Sequence, residues 1–249
     1  MSKSRDTSGT PGAARVPKRT LAAVVTSQIR ERILAGGFPP GTPMNEVELA
    51  TRFQTSRGPV REALHRLVQE GLLVGTPHKG ISVRVLTPDD LDDLYFARAA
   101  IERAALVRLI RRGASAALIA NLEQAVKQLA LAVEHQDWLQ VSAADLRFHV
   151  HIVEAAGSER LTLMYRSLAA QSRLGLNLLV GTYKGRQDLV DEHEQLLSLL
   201  ASGDRSGLLR TLDKHFGDAL DTLRHHREPA ADVAEPAADA DPTDPQEGA

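Results

Sequence analysis

Apolar residues recur every third or fourth position along most of the chain, and a different rhythm appears only near residue 80. Leu21, Val25, Ile29 and Ile33 stand four apart, the spacing of an amphipathic helix, and Gly36-Gly37 ends it. FPPG then breaks the chain. Asn45 is placed to cap a short helix, NEVELATRF, with Val47, Leu49, Ala50 and Phe53 on its apolar side. Three residues, QTS, lead to a longer helix in which Val60, Leu64 and Leu67 fall at i, i+4 and i+7. Ser56 is a natural N-cap there. Pro59 is tolerated in a first turn that has no intrahelical N–H bond to lose, and Gly58 lets another backbone approach closely. A short helix, a tight turn and a longer helix is the spacing of a helix-turn-helix. After Gly71, LLVG and ISVRV read as two strands joined by TPHKG, with Ile81, Val83 and Val85 inward and Ser82 and Arg84 outward. The pattern predicts a winged helix whose wing carries His78, Lys79 and Gly80.

From LTPDDL onward the period is helical throughout. Thr87 caps, Pro88 takes the first helical position, and Asp89 and Asp90 complement the helix dipole. Six helices are expected near 88–112, 115–135, 137–156, 158–180, 187–202 and 205–227, with breaks at Gly113, Asp137, Gly157, GTYKG and SGDRSG. With no internal repeat, a bundle is expected rather than a solenoid. The fold class is therefore mainly α, an N-terminal winged helix-turn-helix over 20–86 joined to an all-helical bundle of about six helices over 88–227. The flanks, a basic Ser/Thr/Gly/Pro-rich arm over 1–19 and an acidic Pro/Ala-rich tail over 228–249, have too little large apolar surface to fold and are expected to be disordered.

Composition narrows the function classes. The chain has 249 residues and no cysteine, which excludes disulfides, thiolate metal sites and a thiol nucleophile. The first 19 residues lack the apolar core of a signal peptide, and no stretch approaches the ~20 apolar residues of a membrane span, so a cytoplasmic protein is expected. The net charge of -2 hides a split: residues 1–87 hold 13 Lys+Arg against 6 Asp+Glu, and the rest holds 17 against 26. Such a split suits a nucleic-acid-facing module attached to one that is not.

TSRGPVREALHRL carries the chemistry of that first module. Arginine's planar fork fits O6 and N7 of guanine, and the start of a recognition helix enters the major groove, so Arg57 and Arg61 are placed to read guanines. Gly58 permits close approach to DNA, and Ser56 can donate to a phosphate beside the helix N-terminus.

A second constellation lies in the bundle. Asp145 and His149 in DLRFH project from one helical face at i, i+4, while His151 lies about 200° around the helix from His149. His193 in DEHEQLLSLL and His215 in DKHFGDAL are flanked by apolar residues that turn them toward the core. One carboxylate and three imidazoles suit a divalent first-row transition metal, zinc foremost, with nickel, manganese or iron as alternatives. Buried, hydrogen-bonded histidines without a metal are the other reading of the same residues. Four protein ligands would close a tetrahedral zinc site, whereas a six-coordinate ion would keep two positions open. Arg173 and Asn177, on the fourth helix of the bundle, are further candidates to line a pocket.

PPGTPMNEVELATRFQTSRGPVREALHRLVQEGLLVGTPHKGISV, with SRxPVREAL followed by L-x-x-E-G-L, resembles the DNA-binding domain of the GntR family of bacterial transcription regulators over residues 20–86. The resemblance implies that Arg57, Arg61 and the wing contact double-stranded DNA, and that a homodimer binds a palindromic operator. Gly58 departs from the threonine or similar residue of many members, and a phosphate contact is in doubt there. LDDLYFARAAIERAALVRLI, then DLRFH, EH and H on successive helices, resembles the FCD effector domain of the FadR subfamily over 88–227. That resemblance implies a metal held by Asp145, His149, His193 and His215. It also implies that Arg98 binds a small carboxylate or sugar-acid effector. The expected function is a transcription regulator, a repressor, whose operator affinity follows that effector. A metal-dependent hydrolase and an architectural DNA binder with a purely structural metal are the alternatives.

Overall fold

A computed structural model describes residues 20–178 and 187–225; the expectations for the basic arm, the GTYKG break and the acidic tail lie outside the described residues. Two hydrophobic cores organise it. In the first, α1 (Leu21–Leu34), α2 (Glu46–Arg52) and α3 (Arg57–Gln69) are followed by a hairpin of β1 (Leu73–Thr76) and β2 (Gly80–Val83), paired antiparallel with Leu73 opposite Val83. Val25, Ile29, Ile33, Val60, Leu64, Leu67, Leu73 and Val83 fill this core, each nearly or fully buried. Thr20 caps α1 through its side chain and Asn45 caps α2 by accepting from Val47 and Glu48.

The hairpin turn follows from local chemistry. Lys79 N donates to the Thr76 carbonyl at 3.1 Å, Pro77 occupies the second position, and His78 takes the third with φ 62°. Positive φ at that position marks a type II turn, usually given to glycine or asparagine. FPPGTPM, which read only as a break, does more than connect. Gly41 N donates to Val83 O, Met44 N to Ile81 O, and Val83 N to Thr42 O, so this stretch flanks β2 as a second partner, opposite β1. It lacks any alternation that would have announced it.

The second core belongs to α4 (Pro88–Arg112), α5 (Ala116–Glu134), α6 (Trp138–Ala155), α7 (Glu159–Leu178), α8 (Gln187–Ser202) and α9 (Arg205–His225). Leu106, Leu122, Leu129, Phe148, Val153 and Leu212 are at its centre. Thr87 and Asp90 form a reciprocal capping box at the start of α4, with Pro88 in the first turn, as the sequence predicts. The fold is mainly helical, an N-terminal winged helix-turn-helix followed by a six-helix bundle.

Three inward assignments are corrected. Leu21, Val47 and Val85 are 54%, 54% and 59% exposed, because each lies at the first turn of a helix or past the end of a strand, where the covering element has run out. Ser56 occupies the N-cap position of α3, yet its side chain makes no capping hydrogen bond.

One helix joins the two cores. Along a single face of α7, Ser167 donates to the carbonyl of Glu70 at the end of α3, Gln171 lies over Gly71, and Leu174, 2% exposed, belongs to the first core rather than the second. Gly71 has φ 78°, and a Cβ there would stand 2.5 Å from Gln171 Nε2. Gly71→Ala is expected to destabilise the chain by about 1–2 kcal/mol from left-handed backbone strain alone. Gln171→Ala added to it should recover only the steric remainder, which urea titration of the single and double variants would measure.

Candidate metal centre and DNA-reading helix

Asp145 and His149 project from α6, His193 from α8 and His215 from α9, and one donor atom from each lies within 4.8 Å of the others. All four residues are buried. His149 Nε2 is 3.2 Å from His215 Nε2, and His193 Nε2 is 3.2 Å from Asp145 Oδ1. Donors at ~2.1 Å from one ion in a tetrahedron stand ~3.4 Å apart, so these separations suit a transition metal.

The outer nitrogens decide what the inner ones are. His149 Nδ1 meets Glu102 Oε2 at 2.5 Å, His215 Nδ1 meets Glu192 Oε2 at 2.7 Å, and His193 Nδ1 meets the Leu189 carbonyl at 2.7 Å. Carboxylate and carbonyl oxygens accept, so each Nδ1 carries a hydrogen, and in a neutral ring the Nε2 then presents a lone pair. With all three rings neutral, three lone pairs and a carboxylate oxygen converge with no donor among them. His193 Nε2 accordingly has no hydrogen-bond partner despite its nearness to Asp145. Burial pushes the His215 imidazole down to about 4, against the pull of Glu192, which keeps it neutral and able to ligate at ordinary pH. Burial alone would raise Asp145, but when the rings are protonated a hydrogen bond from His193 and the positive charge of His149 and His193, together with Arg98, hold its carboxyl well below the usual range. With the rings neutral, the donor set fits a divalent cation.

Arg98, on α4, is 2% exposed and shares this core. Its Nε donates to the Tyr165 hydroxyl at 3.2 Å, its Nη2 lies 3.4 Å from Glu102 Oε1, and its guanidinium sits 5.1 Å from the Phe216 ring centroid. Burial would raise the Glu102 carboxyl, but His149, Arg98 and the Tyr165 hydroxyl outweigh it and lower it instead. A narrow cavity of about 40 Å³ is lined by Arg98, Asp145 and His215, with Tyr95, Trp138 and Ser142 completing much of its wall. At roughly 10–15 Å³ per water, it admits a carboxylate head group, and anything larger requires its walls to move.

Arg173 and Asn177 are not part of that wall. Their side of α7 turns toward the first core: Asn177 bonds the Leu34 carbonyl of α1, and half-buried Arg173 has an Nε without a hydrogen-bond partner, with burial and nearby Arg147 lowering its pKa. Glu102, Glu192 and Tyr165 are the participants that sequence reasoning missed. Glu102 at i+4 from Arg98, and Glu192 adjoining His193, were the available signals.

At the other end of the molecule, Arg57 and Arg61 lie on the exposed face of α3, 62% and 54% of their side chains accessible. Arg61 grips Glu46 with Nε and Nη2 at 2.9 and 2.8 Å, and Arg57 reaches the same carboxylate at 3.5 Å. This partner at the first position of α2 was also unforeseen. Ser56 is exposed, and no protein atom lies within 4 Å of a Cβ placed on Gly58, so the close approach expected there is not made by this chain. His78, Lys79 and Gly80 form the exposed tip of the wing.

The model of bacterial regulatory proteins of the gntR family matches residues 21–83, and the FCD domain model matches residues 93–218. The Nta operon transcriptional regulator of Aminobacter aminovorans is 33% identical over 196 residues, 75% of this chain and 89% of that protein. The chain belongs to the GntR family, with an FCD domain. Other relatives of this GntR-family chain include the gluconate operon transcriptional repressor of Bacillus licheniformis, 27% identical over 78% of the chain and 81% of the relative. Its relatives are transcription regulators, several of them repressors, and not enzymes. The structure of E. coli McbR/YncC shares the fold, with a TM-score of 0.73 at 23% identity, covering 84% of this chain and 99% of that one. No described helix of the regulator is long and apolar enough to cross a membrane.

Groups that orient a ligating histidine typically contribute 10–100-fold to metal affinity. Glu192→Ala, which frees His215 Nδ1 without touching the ligands, is expected to weaken zinc binding by about that factor in competition with a chromophoric chelator. Unchanged affinity would show that His215 does not ligate.

Proposed function

We propose that this GntR-family chain is a homodimeric repressor of a palindromic operator, and that a small carboxylate or sugar acid, bound beside a divalent metal in the FCD domain, controls its operator affinity. One observation carries the reading: the buried, charge-bearing Arg98 lines the same cavity as Asp145 and His215, two members of the four-residue cluster. An acid needs a cationic partner and an orienting contact, and Arg98 supplies a guanidinium with edges left over after Tyr165 and Glu102 are served.

Asp145, His149, His193 and His215 would hold the metal, zinc foremost, with nickel, manganese or iron as alternatives. When bound, such an ion supplies positive charge and, if six-coordinate, open positions for an acid oxygen. Everything else falls to this chain's residues. Glu102, Glu192 and the Leu189 carbonyl fix the imidazole rings, Tyr165 steadies Arg98, and Trp138 and Tyr95 give the cavity aromatic walls. Relatives named as gluconate operon repressors favour a sugar acid as the first effector to try.

On the DNA side, Arg57 and Arg61 would read guanine edges in the major groove, Ser56 and the backbone at Gly58 would meet phosphate, and His78, Lys79 and Gly80 would carry the wing into contact. Exposed Leu163 and Met164 on α7 leave apolar surface that a second copy can cover.

Arg61→Ala is expected to cost about 1–3 kcal/mol on the selected operator and to relax preference at one base pair, read by gel-shift titration across operator variants. Melting temperatures of zinc-loaded and chelator-stripped protein against gluconate and citrate test the other half. An acid that stabilises only the loaded form supports the joint site, since a ligand of the native state raises stability by mass action. Metal stabilisation to which no acid adds would instead favour a purely structural ion.

A further inference from the structure

The face of α7 that holds the two cores together ends at a residue whose partners lie in different domains. Asn177 Nδ2 donates to the Leu34 carbonyl at 2.5 Å, and its Oδ1 lies 2.6 Å from Ser142 Oγ. Leu34 ends α1 in the DNA-reading unit, and Ser142, on α6, is part of the wall of the Arg98 cavity. We propose that Asn177 is the positioning residue that couples occupancy of this cavity to the DNA-reading unit, with the Ser142 hydroxyl as the element that switches. The proposal rests on the reading of the cavity as an acid site.

Hydrogen accounting gives the contact its direction. A carbonyl can only accept, so the Asn177 NH₂ must face Leu34 and its oxygen must face Ser142. The serine hydroxyl must then donate its single hydrogen to Asn177 Oδ1. The last turn of α1 depends on this chain of bonds. Glu31, Arg32 and Ile33 lend their carbonyls to Ala35, Gly37 and Gly36, and the Asn177 side chain takes the carbonyl of Leu34.

An acid in the cavity changes the account. A carboxylate oxygen is a stronger acceptor than a neutral amide and competes for the same hydrogen. The Leu139 carbonyl, 3.0 Å from Ser142 Oγ, offers that hydrogen a further way out. Once it leaves, two oxygens face each other at 2.6 Å with nothing between them. Turning the amide over would let Asn177 donate to Ser142, but would set its oxygen against the Leu34 carbonyl. Neither orientation keeps both contacts, so Asn177 must withdraw from α1 or from α6.

Three further contacts make the withdrawal matter. Ser167, Gln171 and Leu174 lie on the same face of α7, at the Glu70 carbonyl, over Gly71 and in the first core. Arg30 of α1 in turn grips Glu70 through two bonds of 2.8 and 2.6 Å. The ends of α1 and of the recognition helix α3 are therefore held by one helix face, and releasing its last contact alters how the DNA-reading unit is seated.

Ser142→Ala removes the bond by which α6 holds the Asn177 amide, and so cuts the link through which occupancy of the cavity would act. On a duplex selected by the zinc-loaded wild-type chain from a random pool, Ser142→Ala and Asn177→Ala are each expected to lower affinity at least about fivefold, the lower end of typical allosteric coupling. The double variant should fall no further, and Ser142→Thr, which keeps the hydroxyl, should bind as the wild type does. Hydrogen exchange at residues 33–37 should quicken in both alanine variants while the bundle stays protected, which separates a local release from misfolding. Additive losses, or wild-type affinity in both alanine variants, would overturn the coupling. The cavity's ligand is read separately: if neither gluconate nor citrate shifts the melting temperature of the loaded wild type while the variants still lose affinity together, the coupling stands and the acid reading falls.

Discussion

Burying three imidazoles and a carboxylate in one helical core is tolerable only if something satisfies the lone pairs they turn inward. Each of the three histidines is pinned from outside by an oxygen that can only accept, so no neutral ring among them can turn a hydrogen toward its neighbours. The resulting knot of acceptors is costly in a region of low dielectric, where an unpaired polar group is penalised in full. A bound cation reverses the sign of that cost. Arg98, held beside the same knot, feels whatever charge is placed there.

The charges around Arg98 form a closed set rather than a row of pairs. Glu102 faces the guanidinium with one oxygen and the His149 ring with the other, and the Tyr165 hydroxyl touches both Arg98 and Glu102. A buried ion pair by itself is weak evidence of stability, because desolvation can exceed the Coulombic gain. Its value here is geometric, since the carboxylate that orients the His149 ring is the one that orients the arginine.

Much of this was legible in the sequence because it is written in periodic spacing. Val60, Leu64 and Leu67 announced α3, Thr87 and Asp90 announced the start of α4, and Asp145 with His149 announced a carboxylate and an imidazole on one buried face of α6. Partners supplied by distant elements were not legible. Nothing in the spacing says that Glu102 will meet His149, that Glu46 will reach Arg61, or that Asn177 will face α1 rather than the cavity, since each depends on how helices are docked. Ser56 shows the reverse case, a residue type suited to capping whose hydroxyl is not used that way. FPPGTPM shows a third, a strand partner made by backbone groups alone and so invisible to side-chain periodicity.

Glu46 carries a consequence for how this surface meets anything else. Because its carboxylate engages the Arg61 fork with both oxygens and also reaches Arg57, an arriving partner exchanges one set of bonds for another. That exchange subtracts nearly the same amount from every encounter, good or poor. Differences between partners are left as they were, while the time spent on each poor one is shortened. A chain that must sample very many wrong sequences before a right one is served by such a handicap, which trades strength of attachment for speed of leaving.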